Sequence, residues 1–84
     1  MDLLWTDLAW DDYLFWQKSD KVMLKRINEF IKIIKRTSYE GIGKPEPLKF
    51  ELTGKWSRRI NDVHRIVYEI NNARLVIYQC RYHY

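Results

Sequence analysis

The tetrapeptide Arg81-Tyr82-His83-Tyr84 gathers the kinds of side chain that cutting an RNA strand requires. Arg81 is a fixed cation, His83 can exchange a proton near neutral pH, and Tyr82 and Tyr84 offer ring faces and hydroxyls. Upstream, Lys44-Pro45-Glu46-Pro47 and the pairs Arg58-Arg59 and His64-Arg65 add a carboxylate and further cations. RNA can be cut without a metal when its own 2′-hydroxyl attacks the adjacent phosphate. That reaction needs a base at the 2′-oxygen, cations on the phosphorane and an acid at the departing 5′-oxygen. A carboxylate, an arginine and a histidine meet those three needs. Taken singly, Glu46 is an ordinary solvated loop acid and His83 a strand residue donating to a carbonyl. The set is more informative than its members.

These groups need elements to hold them. Residues 1–5 form a short apolar run that reads as a strand. Thr6 or Asp7 can cap a helix starting near Leu8, because a side-chain oxygen satisfies free amides of the first turn. In that helix Leu8, Trp10, Tyr13, Leu14 and Trp16 make no tight stripe, and Asp11, Asp12 and Lys18 mark a wet side. Ser19-Asp20 ends it and caps the next. Met23, Ile27, Phe30, Ile31 and Ile34 then recur at helical spacing, which predicts a second, clearly amphipathic helix. Its lysines and arginines form a solvated face. Residues 37–48, with Gly41, Gly43, Pro45 and Pro47, read as a loop, and the two prolines stiffen Glu46 between them.

Beyond Leu48, turn residues divide the chain into strands over 49–52, 56–60, 64–70 and 75–84, the last being the longest. Alternation puts Ile66, Tyr68 and Ile70 on one face and Arg65, Val67 and Glu69 on the other. Two helices followed by strands predict an α+β fold, with both helices packed on one face of a mainly antiparallel sheet. The other face is expected to be open, lined by Arg59, Arg65 and His83. Cations with aromatic rings nearby suit single-stranded RNA.

Composition narrows the classes. Eighty-four residues make one domain, and 46% hydrophobic content with four tryptophans supplies its core. Cys80 is the only cysteine, which excludes an internal disulfide and a cysteine zinc site; it reads as a small buried hydrophobe in a reducing compartment. No leader peptide is evident and no apolar run approaches the ~18 residues of a membrane span, so a cytoplasmic protein is expected. The two histidines and the acids show no metal-ligand spacing, and no cofactor is expected. The net charge of +4 is uneven: residues 1–20 carry five acids against one lysine, a net −4, leaving +8 for the rest. Such asymmetry suggests a polyanion on one side only.

Five motifs together carry a resemblance. They are Trp10-Asp11-Asp12-Tyr13, Gly43-Lys44-Pro45-Glu46-Pro47-Leu48, Trp56-Ser57-Arg58-Arg59-Ile60, His64-Arg65-Ile66-Val67-Tyr68 and Cys80-Arg81-Tyr82-His83-Tyr84. In these, and over essentially all of its length, the chain resembles the YoeB/Txe toxins of bacterial toxin–antitoxin modules, within the RelE/ParE superfamily. Residues 36–42 depart in detail from the family pattern. The resemblance implies a RelE-like fold, similar to microbial ribonucleases, and an endonuclease that cuts mRNA in the ribosomal A site. It implies Glu46 as general base, Arg65 as transition-state stabiliser and His83 as general acid. Tyr84 would support the leaving-group side or orient the substrate, with Lys49 and Arg59 on phosphate; Arg81 joins that phosphate-binding set as a neighbouring cation. Implied partners are a neutralising YefM-like antitoxin, operator DNA through that antitoxin alone, and a second copy in a homodimer. Two other readings share the fold class: a non-catalytic ParE-like toxin that binds a topoisomerase, and a plain RNA-binding domain.

Overall fold

The computed structural model describes residues 1–82, in which Thr6 and Asp20 set where the two helices begin. Thr6 Oγ1 accepts the Ala9 N–H at 3.2 Å and starts α1 (Asp7–Ser19). The same hydroxyl donates to the Tyr78 carbonyl, so the cap also ties the helix to the sheet. Asp20 is extended; its N–H returns to Trp16 O, while its Oδ1 accepts from Val22 and Met23 and starts α2 (Lys21–Arg36). One residue thus ends one helix and caps the next, as expected. In α2 all five expected residues, Met23, Ile27, Phe30, Ile31 and Ile34, are buried. Each such burial is worth about 2 kcal/mol.

The expectation for α1 needs correction. Asp12 is not on a wet side but only 8% exposed, whereas Leu8 and Trp10 are exposed. The cause is the backbone of Cys80, which is fully buried and must find partners. Asp12 Oδ2 accepts its N–H at 3.1 Å, and Trp16 Nε1 donates to its carbonyl at 2.9 Å.

The strands are β1 (Asp2–Trp5), β2 (Glu46–Pro47), β3 (Trp56–Arg59), β4 (Arg65–Asn71) and β5 (Arg74–Gln79). They lie in the order β1-β5-β4-β3-β2, antiparallel except that β1 runs parallel to β5. This is the expected α+β architecture. Ile66 and Tyr68 join Leu75, Ile77 and the α2 stripe in one core, with Ile70 packed against it.

Three sequence expectations fail locally. Residues 49–52 are not a strand: Phe50–Leu52 is a 3-10 turn, closed by Leu52 N–H to Lys49 O and Thr53 N–H to Phe50 O. The chain must reverse between β2 and β3, and Phe50 takes φ 57° to do so. That backbone turns the phenyl ring outward, 91% exposed. The last strand is not residues 75–84 and not the longest. It stops at Gln79, after a register shift opposite Val67 and Tyr68, and the longest strand is the seven-residue β4. The face away from the helices is not simply open either. Ser57, Arg65, Val67 and Val76 are buried there. Across it the Lys55 ammonium lies 4.6 Å over the Tyr78 ring, whose hydroxyl donates to Glu69. Among the described residues no helix is long and apolar enough to cross a membrane.

Candidate active site

Gly43 is where the loop bearing Glu46 meets the sheet. Its φ is 83°, and a Cβ there would sit 2.7 Å from Phe30 Cε2 and 3.0 Å from Arg59 O, so only glycine fits. Its carbonyl accepts the Arg59 N–H at 2.6 Å. Arg58 fixes the rest of the loop from inside. Its guanidinium is fully buried and donates to Thr37 O (2.5 Å), Glu40 O (3.0 Å), Ile42 O (3.1 Å) and the Tyr68 hydroxyl (3.1 Å). Tyr68 in turn donates to Ser38 O at 2.5 Å. Burial raises the Tyr68 phenol above its ordinary value, with Arg58 pulling the other way. Arg58 therefore cannot belong with the cations expected to meet phosphate; it is the bolt that holds residues 37–43 to β3.

Beyond that bolt, Glu46 pairs with Ser57 and Pro47 with Trp56. Leu48 is buried and donates its N–H to Lys55 O, which anchors the far side of the short strand. Directly opposed strand residues share a face, as do residues two apart. Because Ser57 opposes Val67 and Arg59 opposes Arg65, the side chains of Glu46, Ser57, Arg59 and Arg65 share the face turned from the helices. Glu46 and Arg59 are exposed on it; Arg65 is 8% exposed. Strand spacing of about 4.8 Å and a rise of about 3.3 Å per residue put the Glu46 and Arg65 α-carbons roughly 12 Å apart. Their long side chains can reach a common phosphodiester. Lys49 is exposed three residues on, and it lines with Glu46, Leu48, Phe50 and Leu52 a shallow cleft of about 390 Å³.

Residues 80–82 run alongside. Beyond the two bonds from α1 to Cys80, Tyr82 N–H donates to His64 Nδ1 at 2.7 Å and Tyr82 O accepts the Arg65 N–H at 3.0 Å. The expected site residues His83 and Tyr84 lie outside the described residues. They follow directly on a peptide bonded to the backbone of Arg65. Arg81 is not brought into the Glu46 group. Its guanidinium carbon stacks 3.4 Å over Phe15 of α1 and 4.4 Å from the Tyr82 ring, and its Nε is buried without a hydrogen-bond partner among the described residues. His64 also faces away from Glu46: its ring meets the edge of Trp16 and the Tyr82 ring. Burial, helped by the charge of Arg81, lowers its imidazole below the ordinary value, with Asp12 opposing.

Ser57 had no mark in the sequence, yet it occupies the floor of the site between Glu46 and Val67. Its position two residues before Arg59 was the only available signal. Cys80 is buried and its thiol is pushed up to about 12 by burial, so it is the inert small hydrophobe expected and no nucleophile. Among the described residues no cluster of His, Cys, Asp and Glu could hold a metal ion.

Comparison with known proteins identifies the family and the fold. The family model for the YoeB-like toxin of bacterial type II toxin–antitoxin systems matches residues 5–84. Toxin YoeB of Escherichia coli (strain K12) is 56% identical over 84 residues, covering all of both chains. Toxin YoeB of a Synechocystis strain is also 56% identical, over all of this chain and 98% of its own. A YoeB/ParE toxin from Agrobacterium tumefaciens superposes with TM-score 0.98 at 51% identity, each chain covered in full. The toxin in a heterotetrameric YoeB–YefM complex from Staphylococcus aureus gives 0.92 at 47% identity, covering 100% and 98% of the two chains. A YafQ structure from Escherichia coli, at 14% identity and TM-score 0.80, shares the fold.

Proposed function

The chain belongs to the YoeB-like toxin family of bacterial type II toxin–antitoxin systems, and we propose that it acts as a metal-independent endoribonuclease on mRNA in the ribosomal A site. The observation that supports this most is the shared face of Glu46, Arg59 and Arg65, with residues 80–82 hydrogen-bonded onto Arg65. It puts a carboxylate and two guanidiniums on one side of the sheet, and Tyr82, which His83 and Tyr84 follow in the sequence, is bonded to the backbone of Arg65.

In the proposed reaction Glu46 accepts the 2′-hydroxyl proton as that oxygen bonds to phosphorus. Arg65, with Arg59 beside it, carries the charge that gathers on the phosphorane oxygens. As the bond to the 5′-oxygen breaks, His83 returns a proton to it, leaving a 2′,3′-cyclic phosphate and a 5′-hydroxyl. Tyr84 orients the leaving side and Lys49 neutralises a flanking phosphate. Arg81 keeps its stack on Phe15 and stiffens the segment instead. Residues 1–84 work as one catalytic unit in the cytoplasm. A YefM-like antitoxin neutralises it and alone contacts operator DNA, and two copies of the toxin form a dimer, as relatives do in a YoeB–YefM complex and a YoeB dimer.

Purified protein added to ribosomes programmed with a defined mRNA tests the reading. Cuts within the A-site codon bearing cyclic phosphate ends are expected, and an mRNA with one 2′-deoxynucleotide at the cut position should stay whole. Glu46→Gln and Arg65→Ala should each lower the rate at least about 100-fold, the size seen when one transition-state group is lost. RNA bound but left intact by the wild-type protein would sink the enzymatic reading and leave a binding domain.

A further inference from the structure

The mechanism leaves one ionisable group at the edge of the site without a task. His64 sits where the loop after β3 enters β4, and its own backbone is fixed: the Val63 and His64 N–H groups both donate to Asn61 Oδ1, at 2.9 and 2.7 Å. Its Nδ1 receives the Tyr82 N–H at 2.7 Å. An amide nitrogen can only donate, so Nδ1 carries no proton and the ring proton is on Nε2. The ring is gripped edge-on by Trp16, at 4.8 Å between centroids. Turning it over would put a carbon in place of Nδ1. Tyr82 itself stands at φ 65°, a left-handed backbone that a tyrosine adopts only when its surroundings impose it. Here they do so on both sides, with His64 holding its N–H and the Arg65 N–H holding its carbonyl.

From this geometry we propose that His64 is a positioning residue for the cleavage reaction: as a neutral imidazole it pins residues 80–82 to the start of β4, which sets where His83 and Tyr84 depart, and protonation of Nδ1 releases them. The inference rests on the proposed nuclease reading for its functional consequence, though not for the contact itself. An imidazolium has donors on both nitrogens, so the Tyr82 N–H would face another N–H and the bond would be lost. The charged groups around the ring are Asp12 from α1, Arg81 from the pinned segment and Arg65 next along β4. Burial of the ring disfavours an imidazolium most, Arg81 repels it and Asp12 attracts it. The balance keeps His64 neutral at pH 7 and lets acidification undo the pin. The proposed cleavage itself moves protons, so a variant that removes only the His64 step is needed.

His64→Asn supplies it. An asparagine Oδ1 occupies about the place of Nδ1, accepts the same N–H and cannot be protonated in this range. Two readouts are taken at pH 7.5 and 5.5: the exchange protection of the Tyr82 amide by NMR, and kcat and KM for cleavage of ribosome-bound mRNA. In the wild type, protection and kcat should both fall severalfold on acidification. His64→Asn should keep at least a third of the neutral kcat and lose the acid step in Tyr82 protection. His64→Ala should lose at least tenfold in kcat at pH 7.5 and approach the wild-type value at pH 5.5, with KM and the circular dichroism spectrum little changed. Equal protection of Tyr82 at both pH values in the wild type would overturn the proposal, as would wild-type kcat in His64→Ala. Should His64→Ala fail to fold, the asparagine variant and the exchange data still decide. A wild-type protein that cuts nothing would bring down the nuclease reading alone, since Tyr82 exchange answers the question of the pin without it.

Discussion

At position 58 a guanidinium is surrounded by three carbonyl oxygens and a phenol; at position 59 the neighbouring one points into solvent on the opposite face. Adjacent residues of a strand face opposite ways, so the two arginines of one motif are bound to have unlike roles. Truncating Arg58 would strand buried acceptors and open a hole beneath the loop. Arg58→Ala is expected to cost about 3–5 kcal/mol of unfolding free energy, measured by urea denaturation. Arg59→Ala should change stability by less than about 0.5 kcal/mol, as surface substitutions do, while weakening ribosome binding. Equal effects of the two on stability would show that Arg58 does not hold the loop. The same residue-scale logic separates His64 from Arg65. A pair that reads as two cations in the sequence becomes a hydrogen-bond acceptor for the backbone and a buried guanidinium on the site face.

The elements show where pattern reading works. The apolar period of α2 was legible because a helix lying on a sheet needs one continuous stripe and solvent takes the rest. In α1 the pattern was blurred because that helix also supplies polar partners to Cys80, and a buried aspartate looks like a wet one in sequence. The 3-10 turn was illegible for another reason: the positive φ of Phe50 comes from the chain reversal and not from any residue that favours it. For the site, Arg59 and Arg65 were legible together because strand alternation puts them on one face. Glu46 stood out only as a carboxylate between two prolines, and its pairing with Ser57 as part of β2 was hidden in a stretch that read as a loop. Asp12 offers a test of the α1 account. Burial raises its carboxyl above the usual range, with the Cys80 N–H and Arg81 pulling it down. A group with a raised folded pKa binds its proton more tightly when folded, so its charge weakens the fold at neutral pH and that cost fades as pH falls through the raised value. Asp12→Asn keeps an oxygen for Cys80 without the charge. Thermal melts should show it at least as stable as wild type at pH 7, with the advantage narrowing toward pH 4. Asp12→Ala, which leaves the Cys80 N–H unmatched, should melt lower at both.

For the molecule as a whole, charge is segregated: −4 over residues 1–20 and +8 over the remainder. Affinity for ribosomes should therefore drop steeply with added salt, because binding releases counterions from RNA. The parallel pairing of β1 with β5 has a further effect. Leu3 meets Leu75, Trp5 meets Ile77, Thr6 reaches Tyr78, and Asp12 and Trp16 reach Cys80. Every one of these joins residues more than sixty positions apart, and closing such long spans comes late in folding. A ribosome-tethered fragment ending at Asn72 should accordingly be degraded by protease at a rate typical of unfolded chains. Native-like resistance in that fragment would contradict the idea. A fold closed between residues 1–16 and 74–80 has no working form before both segments have been made. If its target is the translating ribosome, the machine that makes each copy is safe from it until residue 80 of that copy has emerged.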